Sequence, residues 1–264
     1  MKNYALLFLL LITMLAAVAH PAYSHAEPLN ILIVNGGCCH DYAQQGTVLQ
    51  SILNTHLGAN AVLALSPSNK PNARFEIYQK ADWARGYDLV IHNECSANVT
   101  DRAYVKRILD AHLNGVPAIN LHCAMHSYRW GDYKKAVEPG DENAGWFEMV
   151  GIQSARHGPH NPVSISYLDT DHPITKGLEN WTTPVGELYD NIRVFENTKI
   201  LAMGSQRAYN KKVKDAAVLW TNLYGPLKTK IVSISIGHSS HEMLTEHFSS
   251  ILIRSVLWAT NKSS

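Results

Sequence analysis

The sequence predicts an α/β fold built on a mainly parallel sheet with helices on both faces, and three observations carry that expectation. The first half alternates short apolar runs with helical patterns. Those runs are almost continuously apolar, with no strand-like alternation. Each run ends in a polar or glycine-containing stretch. Near-continuous apolar strands joined by helices are the mark of parallel strands buried on both sides.

The elements follow in order. Residues 29–34 (LNILIV) read as a buried strand that meets a tight Asn35-Gly36-Gly37 loop. Residues 41–57 have helical spacing through Val48, Ile52, Leu53 and Leu57, stopped by Gly58. Residues 61–65 form a second apolar run, and 87–92 (YDLVIH) a third strand that ends at Asn93-Glu94-Cys95. A helix starts at Thr100-Asp101 and closes at Asn114-Gly115, and 116–121 (VPAINL) lead into His122-Cys123. Residues 127–161 are rich in Gly, Trp, Tyr, His and acids but weakly periodic, which predicts a long functional excursion. Further strands are expected at 162–167, 187–195, 200–203, 216–220 and 230–236, with a closing helix over about 242–258. No internal repeat or linker interrupts this order, so residues 27–264 read as one domain.

Composition narrows the function classes. The 264 residues are 46% hydrophobic and 17% charged, with a net charge of +1, which fits a packed core and excludes a largely disordered chain. A neutral balance without a basic run argues against nucleic-acid binding. Residues 1–26 carry a basic Lys2, an apolar stretch over 5–19 and a small-residue Ser24-x-Ala26 site, the plan of a secretory signal peptide. The expectation is a periplasmic or secreted protein, free of the membrane once the leader is cleaved. The alternative is an uncleaved anchor, although the apolar stretch is near the lower limit of about 17–25 residues for a span.

Export makes disulfides possible for Cys38, Cys39, Cys95 and Cys123. Four cysteines allow three full pairings, and sequence does not choose among them. Bonding between adjacent Cys38 and Cys39 is disfavoured. The loops of Cys123 and of Cys38 or Cys39 should be neighbours, which makes those pairings attractive. A nucleophilic Cys123 is a weaker reading, because NLHCAMH lacks the small residues that frame a nucleophile elbow.

Histidine placement points to a site. In an open parallel sheet, ligands bind at the carboxyl ends of the strands. His40, His92 beside Glu94, His122 with His126, and His238 all fall at such ends, while His157 and His160 flank Gly158-Pro159. Such a rim can transfer protons or hold a metal. A divalent ion such as zinc is a candidate cofactor, with His40, Glu94 and His122 as its candidate ligands; hydrogen-bonded imidazoles without metal are the alternative. Asp41, Glu94, Asp132, Glu148, Glu187 and Asp190 are acids in loop or strand-end contexts. Tyr128, Trp130, Tyr133, Trp146, Trp181 and Tyr189 offer rings suited to sugar faces, or else plain core packing.

The segments GGCCHDY at 36–42, NLHCAMHSYR at 120–129, DHPITKGL at 171–178, ELYDN at 187–191 and SIGH at 235–238 together resemble the ThuA-like (trehalose-utilisation) family. The resemblance implies a flavodoxin-like, class I glutamine amidotransferase-like three-layer sandwich. It also implies a link to disaccharides and their 3-keto derivatives. Amidotransferases carry a Cys followed by Gly-x-Gln at the elbow, which is missing here, so glutamine hydrolysis is not expected. Carried over position by position, the family's rim falls on His40, Glu94, His122, His126, Arg129, His172 and His238, with His172 alternatively a turn residue.

The resulting expectation is a lyase or hydrolase acting on a small-molecule carbohydrate, by elimination, hydration or hydrolysis. His122 is the first candidate base, His40 and Glu94 its partners, and Arg129 the holder of oxyanion charge. His126, Tyr128, Trp146, His157, His160, Tyr189 and His238 are the candidate substrate contacts. A non-catalytic sugar-binding module and a metal-dependent hydrolase of other substrates are the rivals.

Overall fold

A computed structural model describes residues 27–262. The leader-like segment 1–26 lies outside them. The order is β1 (Asn30–Gly37), α1 (Tyr42–Leu57), β2 (Asn60–Leu65), β3 (Leu89–Cys95), α2 (Arg102–Leu113), β4 (Ala118–Leu121), α3 (Gly145–Val150) and β5 (Ile152–Gln153). It continues with β6 (Ser164–Tyr167), β7 (Trp181–Thr182), β8 (Arg193–Val194), β9 (Thr198–Arg207), β10 (Val213–Tyr224), β11 (Thr229–Ile234), α4 (Ser240–Met243) and α5 (Glu246–Ala259).

Nine strands form one sheet in the order β2-β1-β3-β4-β11-β10-β9-β6-β7. The pairs from β2 to β11 are parallel and the pairs beyond are antiparallel, so only β10 and β6 run against the rest. The parallel half has the flavodoxin-like order, in which crossover helices cover both faces. Alternation along the strands divides the apolar side chains. Ile31, Ile33, Leu89, Ile91, Ile119 and Leu121 pack under α1 and α5, while Leu32, Val34, Val90 and Ala118 pack under α2 and α3. Three layers result.

Local signals explain the helix starts. The Asp41 side chain accepts from the Gln44 N–H and that of Asp101 from the Tyr104 N–H, each supplying an N-cap. The expected closing helix is two helices, because Thr245 caps a fresh start at α5 through the Phe248 N–H. The expected strand at 187–195 survives only as β8, paired with β5. The rest is an extended arm bridged to residues 157–161. Among the described residues no helix is long and apolar enough to cross a membrane.

The cysteines pair Cys38 with Cys39 and Cys95 with Cys123. This corrects the expectation that Cys123 reaches the first loop and that the adjacent pair stays apart. Gly37 continues β1 against Cys95 at φ 97°, where a Cβ would collide with the Cys95 carbonyl oxygen. That close approach brings the Cys38-Cys39-His40 turn against the end of β3.

Candidate active site

Three strand ends deliver three imidazoles to one place. His40 follows β1, His122 follows β4 and His238 follows β11. Their ring centroids are 4.9 Å apart for His40 and His122, 5.0 Å for His40 and His238, and 5.4 Å for His122 and His238. One ring nitrogen from each, taken together, lies within 4.8 Å of the others. His122 is held at φ 43°, in the left-handed region that few residues other than glycine occupy.

Backbone carbonyls fix two of the tautomers. His40 Nδ1 lies 3.1 Å from the His238 carbonyl oxygen, and His122 Nδ1 lies 2.7 Å from that of Ser235. A carbonyl only accepts, so each Nδ1 carries the proton and each Nε2 keeps its lone pair. Burial, reinforced by the neighbouring imidazoles, pushes the His40 pKa down to about 3. Burial also lowers that of His122, against the opposing pull of Glu187. Both rings are therefore neutral donors near neutrality. His122 Nε2 and His238 Nδ1 are buried atoms without a hydrogen-bond partner.

The acid at the centre is Glu187, which is buried. It arrives on the arm that pairs antiparallel with residues 157–161 through the His157/Tyr189 and Asn161/Gly186 bridges. Its Oε1 is 2.5 Å from His160 Nε2 and 3.3 Å from His157 Nδ1; its Oε2 is 3.3 Å from His122 Nε2 and 3.5 Å from His238 Nδ1. Burial alone would raise its pKa. The interactions with His122, His238 and His157 outweigh burial and hold the carboxylate well below its usual range. Glu187 in turn raises the pKa of His238 above the ordinary histidine value.

A second carboxyl sits behind this group. Glu242 Oε2 accepts the His238 backbone N–H at 2.9 Å, and Oε1 is buried without a partner. Burial raises the Glu242 pKa to about 7. The unfolded chain gives up this proton near pH 4.5, while the folded chain keeps it until about 7. Stability contributed by this group therefore falls as pH rises across that window, by about 3 kcal/mol at pH 8. Glu242→Gln keeps the acceptor and removes the ionisation. It is expected to flatten the pH dependence and to stabilise the protein at pH 8 but not at pH 4. Urea unfolding at the two pH values checks this; an unchanged slope contradicts it.

The site is open on the side of His157 and His160, which are both exposed. His126 stacks on Tyr189 with centroids 4.2 Å apart and bonds Ser154 Oγ at 2.9 Å, and the Ser154 hydroxyl donates to Asp190 Oδ1 at 2.9 Å. His126 is buried, and burial keeps it neutral. It fixes the Tyr189 ring, which faces His122 at 4.8 Å. Beyond His157 and Tyr189 lies a cavity of about 530 Å³, also lined by Arg156, Asp190, Gln206 and Tyr209.

Of the residues nominated from sequence, His40, His122, His157, His160 and His238 meet, with Tyr189 and His126 beside them. Four do not. Glu94 is completely buried on the α2/α3 side of the sheet. It accepts from Tyr78 at 2.9 Å and Tyr128 at 3.0 Å and lies 3.1 Å from His92 Nδ1. It is neither a partner of His122 nor a metal ligand. Tyr128 spends its hydroxyl on Glu94, and Trp146 is a core residue whose Nε1 donates to the Ala124 carbonyl at 2.8 Å. Neither faces a ligand. Arg129 reaches the Ala155 carbonyl at 3.3 Å and lies over the Tyr133 ring at 4.2 Å, and among the described residues it makes no hydrogen bond to the three imidazoles. His172, the family position with a second reading as a turn residue, accepts the Ile174 N–H at 3.2 Å in a turn beside Trp258.

Comparison with known proteins now adds to this geometry. The sequence profile of the ThuA family, described as trehalose utilisation, matches residues 30–259. The chain belongs to the ThuA family. Membership gives it a role in carbohydrate metabolism. Among solved structures, a putative ThuA-like protein from Parabacteroides merdae superposes with a TM-score of 0.69 at 19% identity, covering 90% of this chain and 92% of that one. A second, from Bacteroides uniformis, gives 0.62 at 18% identity over 91% and 95%. A putative GMP synthase protein from Thermoplasma acidophilum gives 0.52 at 12% identity over 90% and 96%, and shares the amidotransferase-like fold. Comparison with curated protein sequences gives no match.

Proposed function

We propose that this ThuA-family chain is a lyase or hydrolase of 3-keto-glycosides, and that its imidazole cluster holds a divalent ion such as zinc. The observation that carries the reading is the His122 Nε2 lone pair, fixed by a carbonyl-bound Nδ1–H and 3.3 Å from the buried Glu187 carboxylate, with His40 held through its Nδ1 in the same way and one nitrogen each of His40, His122 and His238 within 4.8 Å of the others. Neutral imidazoles oriented by a backbone acceptor on the far nitrogen are the usual form of histidine metal ligands. His40, His122 and His238 would hold the ion with Glu187 beside them, and the ion would supply Lewis-acid polarisation of a carbonyl oxygen.

The remaining residues supply the proton chemistry. A ketone at C3 acidifies the C2–H bond. His160, exposed and held by Glu187, is the base within reach of bound substrate. Breaking C2–H and C1–O forms the C1=C2 bond, and the proton ends on the departing glycosidic oxygen. Water can then add across the double bond, which makes the overall reaction a hydrolysis. His157 shares Glu187 Oε1 and stands at the cavity mouth, where it can return the proton. Tyr189 gives an apolar face for a sugar ring, and the adjoining cavity has room for the second ring of a disaccharide.

The test is metal analysis together with turnover of 3-keto-trehalose. The native protein is expected to carry about one ion per chain and to turn the substrate over. His122→Ala should lose both. His160→Ala should keep the ion and lose turnover by about 10²-fold or more. Binding of the sugar without turnover in the native protein would favour a sugar-binding module instead. The leader-like segment supports a periplasmic or secreted location, which N-terminal sequencing after Ala26 would bear out.

A further inference from the structure

The four cysteines gather against the same loops that carry His40 and His122. Cys39 is exposed and Cys38 half-buried, whereas Cys95 and Cys123 are buried. Cys38 Sγ lies 3.7 Å from Cys95 Sγ, in van der Waals contact across the two disulfides. Tyr42 packs over Cys38, Cys95 and Cys123 and closes the cluster from the α1 side. The Cys38–Cys39 bond is the more exposed of the two, and Cys38 is its sulfur in contact with the inner bond.

We propose that these residues form a two-disulfide relay, in which an external dithiol reduces the Cys38–Cys39 bond and Cys38 then exchanges with Cys95. The external dithiol attacks Cys39, breaks the bond to Cys38 and leaves as its own disulfide, having given up two electrons and two protons. The released Cys38 sulfur attacks Cys95; the Cys38–Cys95 bond forms, the Cys95–Cys123 bond breaks, and Cys123 leaves to take up the proton given up by Cys38. Thiol–disulfide exchange needs only such contact and access for the first step. The product holds one disulfide, Cys38–Cys95, and free thiols at Cys39 and Cys123. The staple thereby moves. In the oxidised protein β3 is tied to the turn that starts at His122; in the half-reduced protein it is tied to the turn that ends at His40. Cys95 is the pivot of both, and the exchange requires no catalytic residue of the candidate active site.

The experiment starts from a preparation in which no thiol is labelled under denaturing conditions. One equivalent of dithiothreitol is added to the native protein. The mixture is quenched in acid, labelled with N-ethylmaleimide at low pH and mapped as non-reduced peptides. The expected result is label on Cys39 and Cys123 with a Cys38–Cys95 linked peptide in at least half of the singly reduced molecules. Any smaller share overturns the relay, whether the label sits on Cys38 and Cys39 or on Cys95 and Cys123. In Cys39→Ser, the single label is expected mostly on Cys123; a label mostly on Cys38, with Cys95–Cys123 intact, overturns it as well.

Discussion

Replacing Glu187 with Gln is expected to lower turnover of 3-keto-trehalose by about 10²–10⁴-fold while the protein stays folded. The carboxylate is within 3.5 Å of four imidazoles, those of His122, His157, His160 and His238. It joins the four rings, and it raises the pKa of His238. Gln keeps the shape and one acceptor but loses the charge. The base His160 loses the carboxylate oxygen that holds its Nε2, and His238 loses the main cause of its raised pKa. Activity, ion content and thermal unfolding of the variant check this together. Turnover within threefold of the native value, at equal ion content, would remove Glu187 from the mechanism.

Replacing Glu94 with Ala is expected to act in the opposite way. Tyr128 would lose its acceptor, and Tyr78 and His92, 3.1 Å apart, would have only each other in place of the carboxylate, at a cost of about 1–3 kcal/mol for each unmet group. Partial relaxation should leave a net loss of about 3–5 kcal/mol, read as a lower urea midpoint and an unfolding temperature lower by roughly 10 °C. Ion content and turnover per folded molecule should not change. A loss below about 1 kcal/mol would contradict the structural role, and a specific loss of activity in folded protein would return Glu94 to the site.

The contrast between these two acids shows what the sequence could convey. Strand ends were legible because apolar runs are strong signals, and strand ends in a parallel sheet share one rim. His40, His122 and His238 follow from that rule alone. Glu94 follows the same rule and fails it, because β3 runs on to Cys95. Residues 92 and 94 then share one face, under α2 and α3, and point into dry packing. Glu187 carried the opposite signal. Its segment looked like a strand, whereas it is an arm bridged to 157–161, and no spacing along the chain reveals which histidines it meets. Tyr128 and Trp146 were ambiguous from the start, since a large ring in a weakly periodic segment serves a core as readily as a ligand. The vicinal Cys38–Cys39 bond is not legible in the sequence, because spacing does not show that Cys95 and Cys123 face each other across neighbouring strand ends.

The division of the sheet separates two tasks. The imidazoles nominated for the ion hang from β1, β4 and β11, all in the parallel half, whereas the far wall of the cavity, through Gln206 and Tyr209, hangs from β9 and the turn leading to β10. The strands of that hairpin are tied to the Glu187 arm, Gln206 through Gly186 and Leu188 and Ala217 through Asn191, so only its tip at Tyr209 is free to vary without pulling on the acid. If the proposed function holds, substitution at Tyr209 is expected to change which sugar is accepted before it changes the imidazole cluster.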